Sequence, residues 1–524
     1  MELTRLIEAL SDPAAYPEPV EKVEVRQTHI SAVFLAGAYA YKVKKPVRLG
    51  FLDFSTLAKR RHACEEEVRL NRRLAPAVYL GVVPVVPTGA GVTLEGVGEP
   101  IEWAVKMVRL PEEATLLFRL EWHEIDTTLA DSLARRVASF HAQASGGERV
   151  AAFGRFDVVA ANARENLEQS AAQVGTTLSH AVFARLRTLL EDALTRLRPL
   201  IDRRAACGVP RDTHGDLRLD HVYLFPERPR PDDLVIIDCI EFDERFRFAD
   251  PVADMSFLVM DFLAHGRPDL ARAFAGAYFE AAGDREGEAL LPFYTAYRAA
   301  VRAKVDGLQL SEPEVAEADR TAAGGRSRSH WLLALGQLEE AGRKPCLVLV
   351  GGLPGAGKST LARGLAERAG FQVVRSDVVR KKLAGPASED IYTSEWTDRT
   401  YTECLRLAEE ALFQGGRPLV DATFREERRR REFLEMAGRW GVPALFLLCQ
   451  AHPEVCRERL DRRHGDASDA DWTVDVRAAE RWEEPGPLTR NVIREVAAGG
   501  SREQALATAT QALEEDGLYA GRNS

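Results

Sequence analysis

At 524 residues the chain holds about three domains' worth of sequence, and 45% hydrophobic with 29% charged residues is a globular balance that excludes a disordered chain. The formal charge of −10 supplies no bulk attraction to nucleic acid or anionic membrane, so a nucleic-acid partner is disfavoured without being excluded. No apolar run reaches the roughly 18 residues of a membrane span, the N-terminus lacks a signal-peptide core, and the seven scattered cysteines suit reduced thiols of a cytoplasmic protein.

In chain order, residues 3–10 read as a short amphipathic helix stopped by Ser11-Asp12-Pro13. Strands follow at 23–25, 32–35 and 38–44, the last two joined at Ala36-Gly37 as a hairpin. In the third, alternation puts Lys42 and Lys44 on one face and Tyr41 and Val43 on the other. A helix is expected over about 55–74, with strands at 79–86 and 101–109. From Asp126 to about Leu200 the pattern is helical. Two short strand-like pieces, 214–224 and 234–238, then flank a polar loop before helices resume to about Gly336. Strands with one helix, followed by a mostly helical half, predict two lobes.

Several residues in this half come in a telling order: Lys42 within Tyr41-Lys42-Val43, Glu67 on the next helix, His214-Gly215-Asp216, Asp238 ending an apolar strand, then Asp250-Pro251 and Asp254. Over roughly residues 20–310 the chain thereby resembles the aminoglycoside phosphotransferase-type kinases, relatives of the protein-kinase fold. The resemblance implies that Lys42 holds the α/β-phosphates of ATP with Glu67 as its partner, that Asp216 is the catalytic base and that Asp238 binds metal. Phosphoryl transfer needs such a set: a cation on the phosphates, acidic ligands for Mg²⁺ and a carboxylate that orients the attacking hydroxyl. There are two departures. His221 stands where the family has a metal-binding asparagine, and imidazole suits Mn²⁺ better than Mg²⁺; it could also act through water or mark a weakened site. Gln27-Thr28-His29-Ile30-Ser31 replaces the glycine-rich flap.

Residues 320–329 read as a small-residue, basic connector, and a helix over about 330–341 leads to a boundary near residue 340. The expected domains are 1–340 and 341–524. Beyond the boundary, the apolar run 347–350 turns through Gly352, Gly355, Ala356 and Gly357 into Lys358, Ser359 and Thr360, matching G-x-x-x-x-G-K-S/T in strand–loop–helix context. Glycines let backbone N–H groups face phosphate oxygens, and the helix N-terminus adds partial positive charge. Lys358 then reaches the β/γ-phosphates and Ser359 holds Mg²⁺. Further strands are expected at 373–377, 417–423 and 444–449. Ligands of a parallel sheet bind beyond the strands' carboxyl ends, so Asp377 and Asp421 project towards the triphosphate. Asp377 also suits a helix cap. The basic helix 456–463, with a polar loop at 464–471, reads either as a lid over the phosphates or as a solvated face.

The run from Gly352 to Thr360, Ser376-Asp377 with Arg380, and Asp421-Ala422-Thr423 resemble the small P-loop kinases that include polynucleotide kinases, zeta-toxin-like kinases and chloramphenicol phosphotransferase. That resemblance implies Asp377 as the base; Arg380 is expected on the acceptor side, and Asp421 is expected to support the metal or the acceptor. The expected fold is an α+β two-lobed kinase-like domain followed by an α/β P-loop domain with a parallel sheet. The expected activity is ATP-dependent phosphorylation of a small-molecule hydroxyl, such as that of a sugar or amino sugar. The first domain would be a second kinase or a nucleotide or ligand sensor. The alternatives are a nucleic-acid or nucleotide 5′-hydroxyl kinase and a regulatory ATPase with a pseudokinase domain. Oligomeric state is not legible.

Overall fold

In the strand Tyr39–Lys44 the expected alternation holds. Tyr41 and Val43 pack with Phe34 and with Leu6 and Leu10 of the helix Leu3–Leu10, while Lys42 and Lys44 meet Glu67 on the opposite side. This computed structural model describes residues 2–520 apart from 50–51, 90, 123, 312–315, 386–390, 392 and 463–480. The loop expected at 464–471 therefore lies outside the described residues.

The strand belongs to a six-stranded antiparallel sheet in the order Val23–Gln27, Ser31–Ala36, Tyr39–Lys44, Glu102–Val108, Tyr79–Thr88, Gly91–Leu94. The helix Leu57–Asn71, capped by the Thr56 hydroxyl, lays Cys64 and Val68 on Val105 and Met107. Fully burying side chains of this size contributes about 1.5–3 kcal/mol each, so the helix is held at a fixed height over the lysines. Further along, the helices Thr127–Gln143 and Pro268–Ala282 pack on each other. Of the strand-like pieces expected at 214–224 and 234–238, only Val222–Leu224 and Leu234–Ile236 pair, as a two-stranded antiparallel ladder. Residues 214–218 form no strand: the His214 and Gly215 amides donate to Asp254 and the Asp216 amide to His214 Nδ1.

The later sheet has five parallel strands in the order Gln372–Arg375, Pro418–Asp421, Leu347–Gly351, Ala444–Gln450, Ile493–Ala497. The strand that feeds the glycine-rich loop is central and wholly buried. On one face the helix Lys358–Ala369 packs with Arg502–Glu515, joining Leu361, Leu365, Ala509 and Leu513 to Val348 and Val350. The helices Ser394–Phe413 and Glu427–Arg439 pack with Glu317–Leu338. The fold class is the expected one. Packing gathers residues 1–159, 198–261 and 268–291 into one compact unit and residues 160–197, 262–267 and 292–524 into a second.

Two local readings need correction. Residues 320–329 are no connector: they lie inside the helix Glu317–Leu338, with Ala323, Gly324 and Ser327 buried. Their small side chains permit close approach, and the Ser327 hydroxyl donates to the Ala303 carbonyl at 2.8 Å. The strand expected over 373–377 ends at Arg375, and Ser376 and Asp377 form the first turn of the helix Ser376–Ala384. All seven cysteines are free thiols, and among the described residues no helix is long and apolar enough to cross a membrane.

Arg417, 5% exposed, closes the bottom of the parallel sheet. Its guanidinium donates to the carbonyls of Ala369 (2.8 Å), Gly342 and Leu518 and lies 4.3 Å from the Phe371 ring centroid. Arg417→Leu should lower the stability of this unit by about 2–4 kcal/mol, because three carbonyls lose their donor. Urea unfolding should show Arg417→Lys recovering only part of that loss, since an ammonium lacks the planar fork.

Candidate active site

In the first unit the expected residues converge. Lys42 Nζ lies 2.9 Å from Glu67 Oε1 and 2.6 Å from Asp238 Oδ1. Lys44 Nζ lies 2.5 Å from Glu67 Oε2 and also contacts Glu241. Glu67 and Lys44 have no exposed side-chain surface, so each charge persists only because its partners replace water. Burial opposes the charge on Lys42, yet Asp238, Glu67 and Glu241 keep its pKa well above the ordinary lysine value. Burial likewise opposes ionisation of Asp238, and Lys42, with His221 next, holds its carboxyl below the usual range. Glu241 goes the other way: burial pushes it up despite Lys44.

The loop that carries Asp216 is held from beneath. Asp254 accepts the His214 and Gly215 backbone N–H groups at 3.1 and 2.7 Å, and its Oδ2 lies 3.0 Å from His141 Nε2. His141 Nδ1 lies 2.8 Å from the Tyr278 hydroxyl, and Asp261 accepts the Leu219 N–H at 2.9 Å. Gly215 has φ +91°, and a Cβ there would sit 3.1 Å from the Phe246 carbonyl oxygen. His221 Nδ1 lies 2.9 Å from the Asp216 backbone oxygen and 3.7 Å from its carboxylate, and His221 Nε2 lies 3.7 Å from Asp238 Oδ2. Asp238 itself is left-handed at φ +65°, a strained conformation for a non-glycine residue that marks functional positions. A carboxylate beside an imidazole is a donor set that fits a divalent cation.

In the second unit the glycines are forced by contact. Gly352, Gly355 and Gly357 have φ of +133°, +76° and +98°. A Cβ on Gly352 would lie 2.4 Å from the Cys449 carbonyl oxygen, and one on Gly355 would lie 2.7 Å from that of Cys456. Lys358 Nζ donates to the Leu353 carbonyl at 2.8 Å, reaching back across the loop. Ala356 is buried and donates its N–H to Leu353 at 3.2 Å, whereas Thr360 is exposed. Asp421, 4% exposed, stands in register with Val350 on one side and Arg375 on the other. Burial pushes its carboxyl up, while Lys358, the Ser359 hydroxyl and Arg375 draw it down and Asp377 raises it. Ser359 and Asp421 together are hard oxygen donors that fit Mg²⁺. Arg380 is buried and donates to the Ile391 carbonyl at 2.8 Å and to Thr397. A cavity of about 690 Å³ borders the loop, lined by Gly352, Leu353, Gln450, His452 and Trp482 among others.

A family model described as an AAA domain matches residues 347–484. Over 467 residues the chain is 33% identical to an uncharacterized protein of Mycobacterium bovis and to uncharacterized proteins of two Mycobacterium tuberculosis strains, covering 87% of this chain and 89% of each of theirs. The chain belongs to their family. Among solved structures it is similar to an aminoglycoside 2'-phosphotransferase-IIIa solved as its GDP complex (14% identity, 62% of this chain and 98% of that one, TM-score 0.39). It is also similar to an unliganded sugar kinase of Janibacter (18% identity, 32% and 95%, TM-score 0.26).

Several members of these sites were missed in the sequence. Lys44 was visible as the same-face neighbour of Lys42, but nothing marked it as a partner of Glu67. Glu241 and His141 carry no motif and reach the site only through the fold. Arg375, whose Nε lies 3.5 Å from Asp421 and whose Nη2 lies 3.4 Å from the Ser359 hydroxyl, was read only as a strand residue. Arg459 was not missed: it lies in the basic segment read as a lid or a solvated face, and on the helix Pro453–Asp461 it reaches the Gly355 carbonyl at 3.4 Å.

Two predictions follow from these contacts. Gly352→Ala should destabilise the loop by about 1–3 kcal/mol through backbone strain and abolish nucleotide binding by the second unit, measured calorimetrically. His214, buried, has its pKa lowered by burial from 6.5 to about 4 against the pull of Asp254. The unfolded chain therefore binds that proton more tightly. The stability linked to this group is complete above pH 6.5 and is lost as pH falls through about 4. Thermal melts at pH 7 and pH 4 should show wild type losing about 3 kcal/mol relative to His214→Asn over that interval.

Proposed function

We propose that the protein is an ATP-dependent phosphotransferase that phosphorylates a hydroxyl of a small molecule, a sugar or amino sugar, with the second unit as its principal active site. The observation that carries this reading is the glycine-forced loop ahead of Lys358 and Ser359, set beside the buried Asp421 at the carboxyl end of the central strands. The family-model match over residues 347–484 supports assigning residues 341–524 to this activity, and the cluster of Lys42, Glu67 and Asp238 supports reading residues 1–340 as a kinase-like domain.

In this mechanism the loop amides and Lys358 bind the β- and γ-phosphates. Asp377 accepts the proton of the acceptor hydroxyl as its oxygen attacks the γ-phosphorus in line. The bond to the β–γ bridging oxygen breaks, and ADP carries away that electron pair. Arg380 and Asp421 bound the acceptor side. Mg²⁺ held through Ser359 would offset charge on the phosphates. Positioning and charge stabilisation lower the barrier. In the first unit Lys42, Asp216 and Asp238 have the layout of a second phosphotransfer site, and we assign it a second acceptor or a nucleotide-sensing role.

The test is ATP consumption with a panel of sugars, amino sugars, nucleosides and short oligonucleotides. Lys358→Ala should cost about a hundredfold or more in turnover of the main acceptor, while Asp216→Ala leaves that turnover in place. Undiminished turnover in Lys358→Ala overturns the assignment, and phosphorylation confined to oligonucleotides replaces the small-molecule acceptor with a nucleic-acid end.

A further inference from the structure

We propose that the metal position of the first unit selects a divalent ion that accepts nitrogen, of the Mn²⁺ class, over Mg²⁺. The proposal rests on the reading of that unit as a nucleotide site and adds the identity of its ion.

His221 Nδ1 faces the Asp216 backbone oxygen at 2.9 Å. A carbonyl only accepts, so Nδ1 carries the proton and Nε2 of the neutral ring is a bare lone pair. That lone pair lies 3.7 Å from Asp238 Oδ2. This is too far for a hydrogen bond, but it suits two donors that share one ion at about 2.1–2.3 Å from each. The other carboxylate oxygen, Oδ1, lies 2.6 Å from Lys42 Nζ. The pair therefore offers an ion Oδ2 of Asp238 and one imidazole nitrogen.

Two further observations favour a cation at this point. Asp238 is held in the left-handed region, with its N–H donated to the Tyr79 hydroxyl at 3.2 Å, so the backbone fixes where the carboxylate points. The surrounding cluster sets three carboxylates, Glu67, Asp238 and Glu241, against two ammonium groups, Lys42 and Lys44. One negative charge is left over. Among the described residues no three His, Cys, Asp or Glu side chains form a metal cage, which leaves the remaining coordination to phosphate oxygens and water, as is usual where an ion bridges protein and nucleotide. Mg²⁺ demands hard oxygen ligands, whereas Mn²⁺ takes imidazole readily.

The experiment uses the full chain carrying Lys358→Ala and Ser359→Ala, which disable the second nucleotide site, with Mn²⁺ and a non-hydrolysable ATP analogue. Continuous-wave electron paramagnetic resonance counts bound Mn²⁺, and pulsed measurements read ¹⁴N coupling. One nucleotide-dependent Mn²⁺ with a ¹⁴N modulation is expected. Adding His221→Asn should remove the modulation, leave the ion bound and lower the Mn²⁺ to Mg²⁺ affinity ratio about tenfold. Loss of the signal in that variant also separates imidazole from a base nitrogen of the nucleotide. Asp238→Asn should release the ion. A bound Mn²⁺ with no ¹⁴N modulation, or a ratio that His221→Asn does not move, overturns the choice of ion and leaves the nucleotide site standing. No calorimetric binding of the analogue with either ion overturns the nucleotide reading itself, and the proposal with it.

Discussion

Glu67 has no exposed surface, and each of its carboxylate oxygens holds a lysine. Burial alone would drive this group to protonate; Lys42 and Lys44 keep its carboxyl below the usual range. Removing either partner of a buried pair leaves an uncompensated charge worth about 3–5 kcal/mol. The arrangement therefore fixes three elements together: the strand that presents both lysines, the helix that presents Glu67, and the segment after Asp238, which Glu241 ties to Lys44. The position of Asp238 opposite Lys42 follows from that tie and from the Tyr79 hydroxyl beneath its amide. The site's geometry is a consequence of burying charge, and the apolar contacts of Cys64 and Val68 supply the free energy that makes the burial affordable.

The second unit is constrained differently, around its glycine-rich loop. Its loop is squeezed between the strand Ala444–Gln450 and the helix Pro453–Asp461, so close that Gly352 and Gly355 have no room for a Cβ. Backbone N–H groups and a helix N-terminus are built from sequence-independent atoms, and their constraint appears as missing side chains. The first unit's constraint appears as charged side chains scattered over some 200 residues of chain, since Lys44 and Glu241 are 197 positions apart.

That difference decides what the sequence revealed. The loop was legible in full because its physics is local: glycine positions, Lys358 and Ser359 follow one another, and strand and helix flank them. The residues from Lys42 to Asp238 were legible through their order alone, and the structure brings them within ion-pair distance. Glu241, His141 and Arg375 were not, because nothing in their own neighbourhoods encodes a partner that only the fold supplies. The strand Ile493–Ala497 escaped for a related reason. Its sequence, Ile-Arg-Glu-Val-Ala, puts charge in mid-strand, which is tolerated at a sheet edge and hides the pattern of a buried parallel strand. Residues 320–329 misled because small residues suit a loose linker and a close helix contact equally, and burial of Ala323, Gly324 and Ser327 with the Ser327–Ala303 hydrogen bond separates the two.

Asp238 and Asp421 show how far local charge separates otherwise similar groups. The Asp238 side chain is 42% exposed, whereas that of Asp421 is 5% exposed. Asp238 has Lys42 at 2.6 Å and its carboxyl is held below the ordinary range. Asp421 has Arg375 no nearer than 3.5 Å, and its burial outweighs Lys358 and leaves the carboxyl raised. Asp238 is thus charged by the protein alone and presents a standing anion to a cation. The Asp421 carboxylate is under-compensated by its own fold, because Lys358, the Ser359 hydroxyl and Arg375 together do not offset its burial. The difference follows from the positions of a few cations against two carboxylates.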